Sequence, residues 1–276
     1  MDMQSNIVED LVEWIEYCIY DDKKINIDMV AHKSGYSLRH VHEIFKREVG
    51  ITIGKYIRLR RITLAALLVR FTRKSIFDIS IDLNFGSQQA FNRTFIKQFK
   101  CTPLEYRTRD FFNTAELLPP YSSRYTELEI REEVGLDLYL QAQEYQYEDY
   151  IIGERNQLIR SIKYDNIMEI LTSHEYAYVA SDLTCLKKID SSIGVTSFVG
   201  FKVESDKENV VHISHDKSAT VMFTGTWEEY KKLSRWLYVN SSFSRVDGFD
   251  IEIFSLQSPA SQHDPVFNVK ICIPVK

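Results

Sequence analysis

The sequence predicts an all-α N-terminal domain built as a duplicated helix-turn-helix, followed by an α+β domain with a mainly antiparallel sheet. Three observations carry this. Apolar residues recur at helical spacing through residues 1–107. The pattern Ile27, Val30, Tyr36 returns as Ile76, Ile79, Phe85 at an offset of 49, and Phe45, Val49, Tyr56 return as Phe95, Phe99, Tyr106 at an offset of 50. Beyond residue 123 the runs alternate apolar and polar, as half-buried strands do.

The helical elements follow in order. LVEWIEYCI, IDMVAHK, LRHVHEIFKREV, YIRLRRITLAALLVRF, IFDISIDLNF and QQAFNRTFIKQF each carry a spaced apolar face. Ser37 and Ser87 stand where N-caps belong, and Ser75-x-x-Asp78 resembles a capping box. The change of offset places one extra residue in the second copy, near its turn or the start of its last helix. A connector is expected at 108–123, marked by Pro119-Pro120 and Ser122-Ser123. The domains are therefore read as 1–107, 108–123 and 124–276. In the last, TELEIREE, LDLYLQAQ, EYAYVAS, SFVGFKVES, ATVMFTG, FDIEIF and FNVKICIPV read as strands. Helices are expected over NQLIRSIKYDNIMEIL and WEEYKKLSRWLY, the second capped by Thr226-x-x-Glu229.

Composition narrows the function classes. At 44% hydrophobic and 26% charged residues, the chain reads as a soluble globular protein. No apolar run approaches the ~18 residues of a membrane span. The acidic, amphipathic start lacks a basic leader, so a cytoplasmic protein is expected. Cys18, Cys101, Cys185 and Cys272 form no CxxC pair, which favours reduced thiols over disulfides or zinc. His212, His215 and His263 lack ligand spacing and read as surface residues. No serine elbow or Gly-rich phosphate loop appears, so neither an enzyme nor a cofactor site is expected.

The net charge of −5 conceals an asymmetry. Residues 30–107 hold 15 Lys and Arg against 5 Asp and Glu, whereas residues 108–276 hold 17 against 26. Only the first part is suited to meet a polyanion. A helix-turn-helix sends its second helix into the major groove. In the first copy Val41, Ile44, Phe45 and Val49 form the core face and leave Arg39, His42, Glu43 and Lys46 outward. In the second, Phe91, Phe95 and Phe99 form the stripe and leave Gln88, Gln89, Asn92 and Arg93 outward. Gln and Asn can pair with adenine, Arg with guanine, and Glu can accept from cytosine. Glu43 is equally readable as an exposed residue that touches no base. Between the readers, the nineteen residues Thr52–Arg70 would span ~28 Å as one helix, against ~34 Å between successive major-groove faces. One chain can thus engage two turns of DNA without a dimer. Arg58, Arg60 and Arg61 are candidates for phosphate contacts.

VAHKSGYSLRHVHEIFKREVGITIGKYIRLRR and IFDISIDLNFGSQQAFNRTFIKQFKCTPLEYR together resemble the duplicated DNA-binding unit of the AraC/XylS family. The resemblance implies a transcription regulator, expected to be an activator, that binds double-stranded promoter DNA and acts through RNA polymerase. Relatives with this domain order carry Trp, Gln and Arg where this chain has Arg39, His42 and Glu43, so its target sequence is expected to differ from theirs.

FDIEIFSLQSP and FNVKICIPVK resemble segments of the GyrI-like effector-binding domains. That resemblance implies a small effector held by a glutamate deep in the domain, a partner suited to a cation. Asp250, Glu252 and Phe254 share one strand face. If that face is the inner one, Glu252 is a carboxylate needing a cationic partner, and Trp227 and Trp236 can line the site with cation–π attraction. Three alternatives stay open at this point: an exposed acidic face, a hydrolase using Glu252 as general base, and a ligand-free docking domain.

Overall fold

The computed structural model describes residues 3–21, 23–109, 112–113, 116–122, 129–151, 157–205, 210–237, 244–257 and 264–276. The N-terminal region is helical: α1 (Met3–Tyr20), α2 (Ile27–Ser34), α3 (Leu38–Val49), α4 (Ile53–Phe71), α5 (Ile76–Asp82), α6 (Gln88–Phe99) and α7 (Pro103–Arg107). Strand β1 (Phe112–Asn113) leads into β2 (Ile130–Tyr150). Then follow α8 (Gln157–Leu171), β3 (Ala177–Thr184), β4 (Ser192–Lys202), β5 (Val211–Thr226), α9 (Trp227–Leu237), β6 (Ser244–Arg245), β7 (Asp250–Leu256) and β8 (Val266–Pro274).

The repeat read from apolar positions extends to the polar signals that start and stop each helix. The N-caps Asn26, Ser37 and Thr52 return as Ser75, Ser87 and Thr102, and each side chain accepts a backbone N–H three residues on. Left-handed residues also repeat: Gly35 and Gly50 have φ of 72° and 77°, while Asn84 and Lys100 at the matching points have 55° and 59°. The caps Asn26 and Ser75 differ by 49 positions and the caps Ser37 and Ser87 by 50. The extra residue therefore lies in the turn Phe85–Gly86 before Ser87. Thr102 and Glu105 form a reciprocal capping box that the sequence reading did not single out.

The predicted core faces are found. Val41, Ile44 and Phe45 are buried, as are all three phenylalanines of α6; Val49 is half-buried. Helix α4 is buried on most sides and forms the spine between the two helix-turn-helix units.

The residues after α7 are stitched to that spine. Leu118 donates its N–H to the Thr63 hydroxyl, Tyr121 donates to the Tyr56 hydroxyl, and Gln98 donates to the Glu116 carbonyl. Leu117, Ile151, Ile193 and Val195 belong to the helical core. Lys74 pairs with Asp82 and reaches the Ser191 hydroxyl at 3.3 Å. Strand β1 pairs with β6 of the second region.

The described main sheet is antiparallel and closes in the order β2-β4-β3-β7-β8-β5. Closure depends on β2. Residues 130–140 pair with β5 and residues 140–150 with β4. TELEIREE and LDLYLQAQ, expected as separate strands, lie on either side of Gly135, and one strand runs through that glycine at φ 76°. Helix α8 lies against β3, β4 and β7, and α9 lies against β5. They cover the face carrying Val179, Phe254, Phe267 and Ile271. The opposite face buries Leu138, Leu140, Tyr178, Ile213 and Ile251.

Candidate nucleic-acid interface and buried carboxylate

On α3, Arg39 and Glu43 are 90% and 62% exposed, and Arg39 Nε donates to Glu43 Oε1 at 3.1 Å. Lys46 is exposed and His42 half-buried. In this structure Glu43 is thus engaged by its own helix neighbour. On α6, Gln89 and Arg93 are exposed and Gln88 is half-buried. Asn92 departs from the expected outward placement: its Oδ1 is buried without a hydrogen-bond partner among the described residues. It can accept from an adenine amine only after turning outward.

Of the three arginines read as phosphate contacts on α4, Arg58 is exposed and Arg61 half-buried. Arg60 corrects the expectation, because it is fully buried. Its Nε and Nη2 donate to the two Glu16 oxygens at 2.7 and 2.8 Å, and its Nη1 donates to the Leu118 carbonyl. The Tyr56 hydroxyl adds a third bond to Glu16 at 2.9 Å. Burial and the Glu16 charge push the Tyr56 hydroxyl well above its ordinary range.

His215 is a second correction. It is buried; Nε2 donates to the Phe249 carbonyl at 2.8 Å and Nδ1 meets the Ser218 hydroxyl at 2.8 Å. A carbonyl only accepts, so Nε2 carries a proton. Burial lowers its affinity for a second proton. His212 is exposed beside Asp137, and His263 lies outside the described residues.

Glu252 sits on the face covered by α8 and α9, between its cross-strand neighbours Val179 and Ile271. Its side chain is 16% exposed, and Oε2 is buried with no hydrogen bond among the described residues. The Lys163 ammonium, from α8, stands 3.9 Å from that oxygen. Burial raises the carboxyl's proton affinity, while Lys163 and a hydrogen bond from Tyr230 pull it down. Trp227 lies 5.1 Å from Tyr230, 5.2 Å from Tyr164 and 6.1 Å from Phe254, ring centre to ring centre. Strand β7 and the start of α9 thus bring Glu252 and Trp227 into one aromatic cluster. The side chain of Trp236 lies outside the described residues.

Lys163, Tyr164 and Tyr230 were missed by the sequence reading. The two tyrosines had a signal, since Tyr230 follows Trp227 by three residues and Tyr164 precedes Ile167 by three, each on one helix face. Lys163 had none. Asp250, expected beside Glu252, is held instead by Arg245 at 2.5 Å.

Residues 30–109 match the helix-turn-helix domain family. The regulatory protein SoxS of Escherichia coli K12 is 48% identical over 105 residues, 38% of this chain and 96% of SoxS. The chain belongs to the AraC/XylS family of transcription regulators. Its place in the AraC/XylS family makes it a DNA-binding transcription regulator. Two other relatives of the N-terminal region are only partly matched. The HTH-type regulator YkgA of E. coli is 43% identical over 122 residues, 44% of this chain and 50% of YkgA. The right origin-binding protein of E. coli is 40% identical over 117 residues, 42% of this chain and 40% of its own length. Thus the match spans half or less of those two AraC/XylS-type relatives. Among the described residues no helix is long and apolar enough to cross a membrane.

Proposed function

We propose that a single copy of this chain reads two successive major-groove segments of promoter DNA, with α3 in one and α6 in the other. Arg39, His42 and Lys46 face the first segment, and Gln88, Gln89 and Arg93 the second. Glu43 accompanies Arg39, Asn92 joins if its amide turns outward, and Arg58 neutralises a phosphate between them. The observation that carries this reading is the repeated geometry: two capped helices at an offset of 50 residues, both fixed to α4. The nineteen residues of α4 span ~28 Å, close to the ~34 Å repeat of the groove. By family resemblance the bound protein acts on RNA polymerase as an activator. Footprinting of the full-length chain on a selected duplex should give two protected segments about one helical turn (~10 bp) apart at one chain per site. Protection that requires two chains overturns the reading.

Residues 124–276 are proposed as a GyrI-like domain that takes a small lipophilic cation at Glu252. The support is a largely desolvated carboxylate oxygen without a hydrogen bond, in an aromatic cluster. A domain that only docked proteins would gain nothing from keeping a charge there.

A further inference from the structure

We propose that Lys163 is a tethered counter-cation which the effector must displace, so that it sets both the threshold and the kind of ligand accepted at Glu252. This rests on the effector reading above and concerns how that site is regulated.

The geometry of the pair carries the argument. Lys163 Nζ lies 3.9 Å from Glu252 Oε2, beyond hydrogen-bond reach, and both side chains are about equally hidden at 15% and 16% exposure. Among the described residues Lys163 also reaches the Ser181 hydroxyl, at 3.5 Å. That hydroxyl already has a bond of 2.9 Å with Ser197. The pair therefore bears the desolvation of two charges without the direct hydrogen bond that ordinarily offsets it. The ammonium is held chiefly by charge, at the end of a flexible four-carbon stem with strong affinity for water. Withdrawal from Glu252 returns it to solvent.

The surroundings decide what can replace it. Tyr164, Trp227, Tyr230, Phe254 and Phe267 form a connected set of rings with centres 5.0–6.2 Å apart. These rings favour the alkyl or aryl groups of a weakly hydrated cation and stabilise its charge. A compact ammonium ion brings no such surplus and leaves Lys163 in place. A neutral molecule finds an already balanced pair and gains nothing from Glu252. The site thus accepts bulky lipophilic monocations by exchange of one positive charge for another.

The test uses the full-length chain and two probes of the same shape, benzyltrimethylammonium and its neutral counterpart neopentylbenzene, followed by tryptophan fluorescence. Lys163→Met and Lys163→Gln should each tighten benzyltrimethylammonium at least about tenfold, since a like charge a few ångströms away is removed. Neopentylbenzene affinity should stay as in the parent. Lys163→Arg keeps the charge and should bind the cation as the parent does. If the parent and the uncharged variants prefer the cation equally, Lys163 does not compete; the proposal is overturned and the effector reading stands. If no protein prefers the cation to the neutral probe, both fall.

Discussion

Arg60 and Glu16, 44 residues apart in the chain, form a two-pronged ion pair in the interior of the helical domain, with Tyr56 as a third member. The same guanidinium holds the Leu118 carbonyl. One side chain thus ties α1 to α4 and to the segment that follows α7. Arg60→Met strands the nearly buried Glu16 carboxylate without its ionic partner and should cost about 3–5 kcal/mol. Urea unfolding gives the number. The double change Arg60→Met with Glu16→Leu should recover most of the loss, because no charge is left behind. A loss under about 1 kcal/mol for Arg60→Met alone would mean that the pair is solvated.

Lys100 ends α6 at φ 59°, where the first unit has Gly50. A side chain in that conformation crowds its own carbonyl, at a cost on the order of 1 kcal/mol. Lys100→Gly should therefore raise stability by roughly 0.5–1 kcal/mol, and Gly50→Ala should lower it by a similar amount. Thermal melts of the two variants, compared at one pH, check both signs. Destabilisation by Lys100→Gly would show that the lysine contributes something its strain conceals.

The arginines of the DNA-facing surface should separate into two kinds. Arg39→Ala should cost ~1–3 kcal/mol and relax preference at one base pair, as should Gln89→Ala at another. Arg58→Ala should instead weaken all duplexes alike and reduce the salt slope by about 1. Binding to a randomised duplex pool at several salt concentrations distinguishes them. A uniform loss for Arg39→Ala would reassign it to the phosphates.

His215 gives the fold a dependence on pH. Burial lowers the proton affinity of its ring in the folded state; the Phe249 carbonyl and Asp250 oppose that, and Arg245 reinforces it. The unfolded chain protonates near the ordinary value of about 6.5. Its folded value is lower, so this contribution is fully present above about pH 6.5 and is lost as pH falls through the folded value. His215→Gln should flatten the stability profile below about pH 6.5. An unchanged slope would place the titrating group elsewhere.

What the sequence made legible follows the range of each interaction. The phenylalanine stripe of α6, the serine caps and the Thr226–Glu229 box depend on residues within one or two turns, so spacing alone reveals them. Alternation along one strand puts Glu252 and Phe254 on the same face but leaves open whether that face is inner; the cover from α8 and α9 decides it. Arg60 looks no different from Arg58 or Arg61 in the sequence; its burial depends on Glu16 in α1 and on the Leu118 carbonyl. The same holds for His215, whose partner Phe249 lies 34 residues away, and for Lys163 opposite Glu252. Sheet closure escaped because one strand pairs with different neighbours along its two halves, which no local pattern encodes.

The stitched segment between the two regions bears on how such proteins can be recombined. The AraC/XylS-type unit recurs at nearly the full length of SoxS, which suggests a part that can be cut out and grafted. Here the graft boundary is not at the last helix. Leu117, Ile193 and Val195 complete the helical core, so excision after Arg107 uncovers oily surface and severs the bonds to Thr63 and Tyr56. A hybrid regulator made by fusing a foreign sensor at that point would inherit a sticky reader. One that carries Glu116–Tyr121, together with a substitute for the Ile193–Val195 edge, would keep the reader closed.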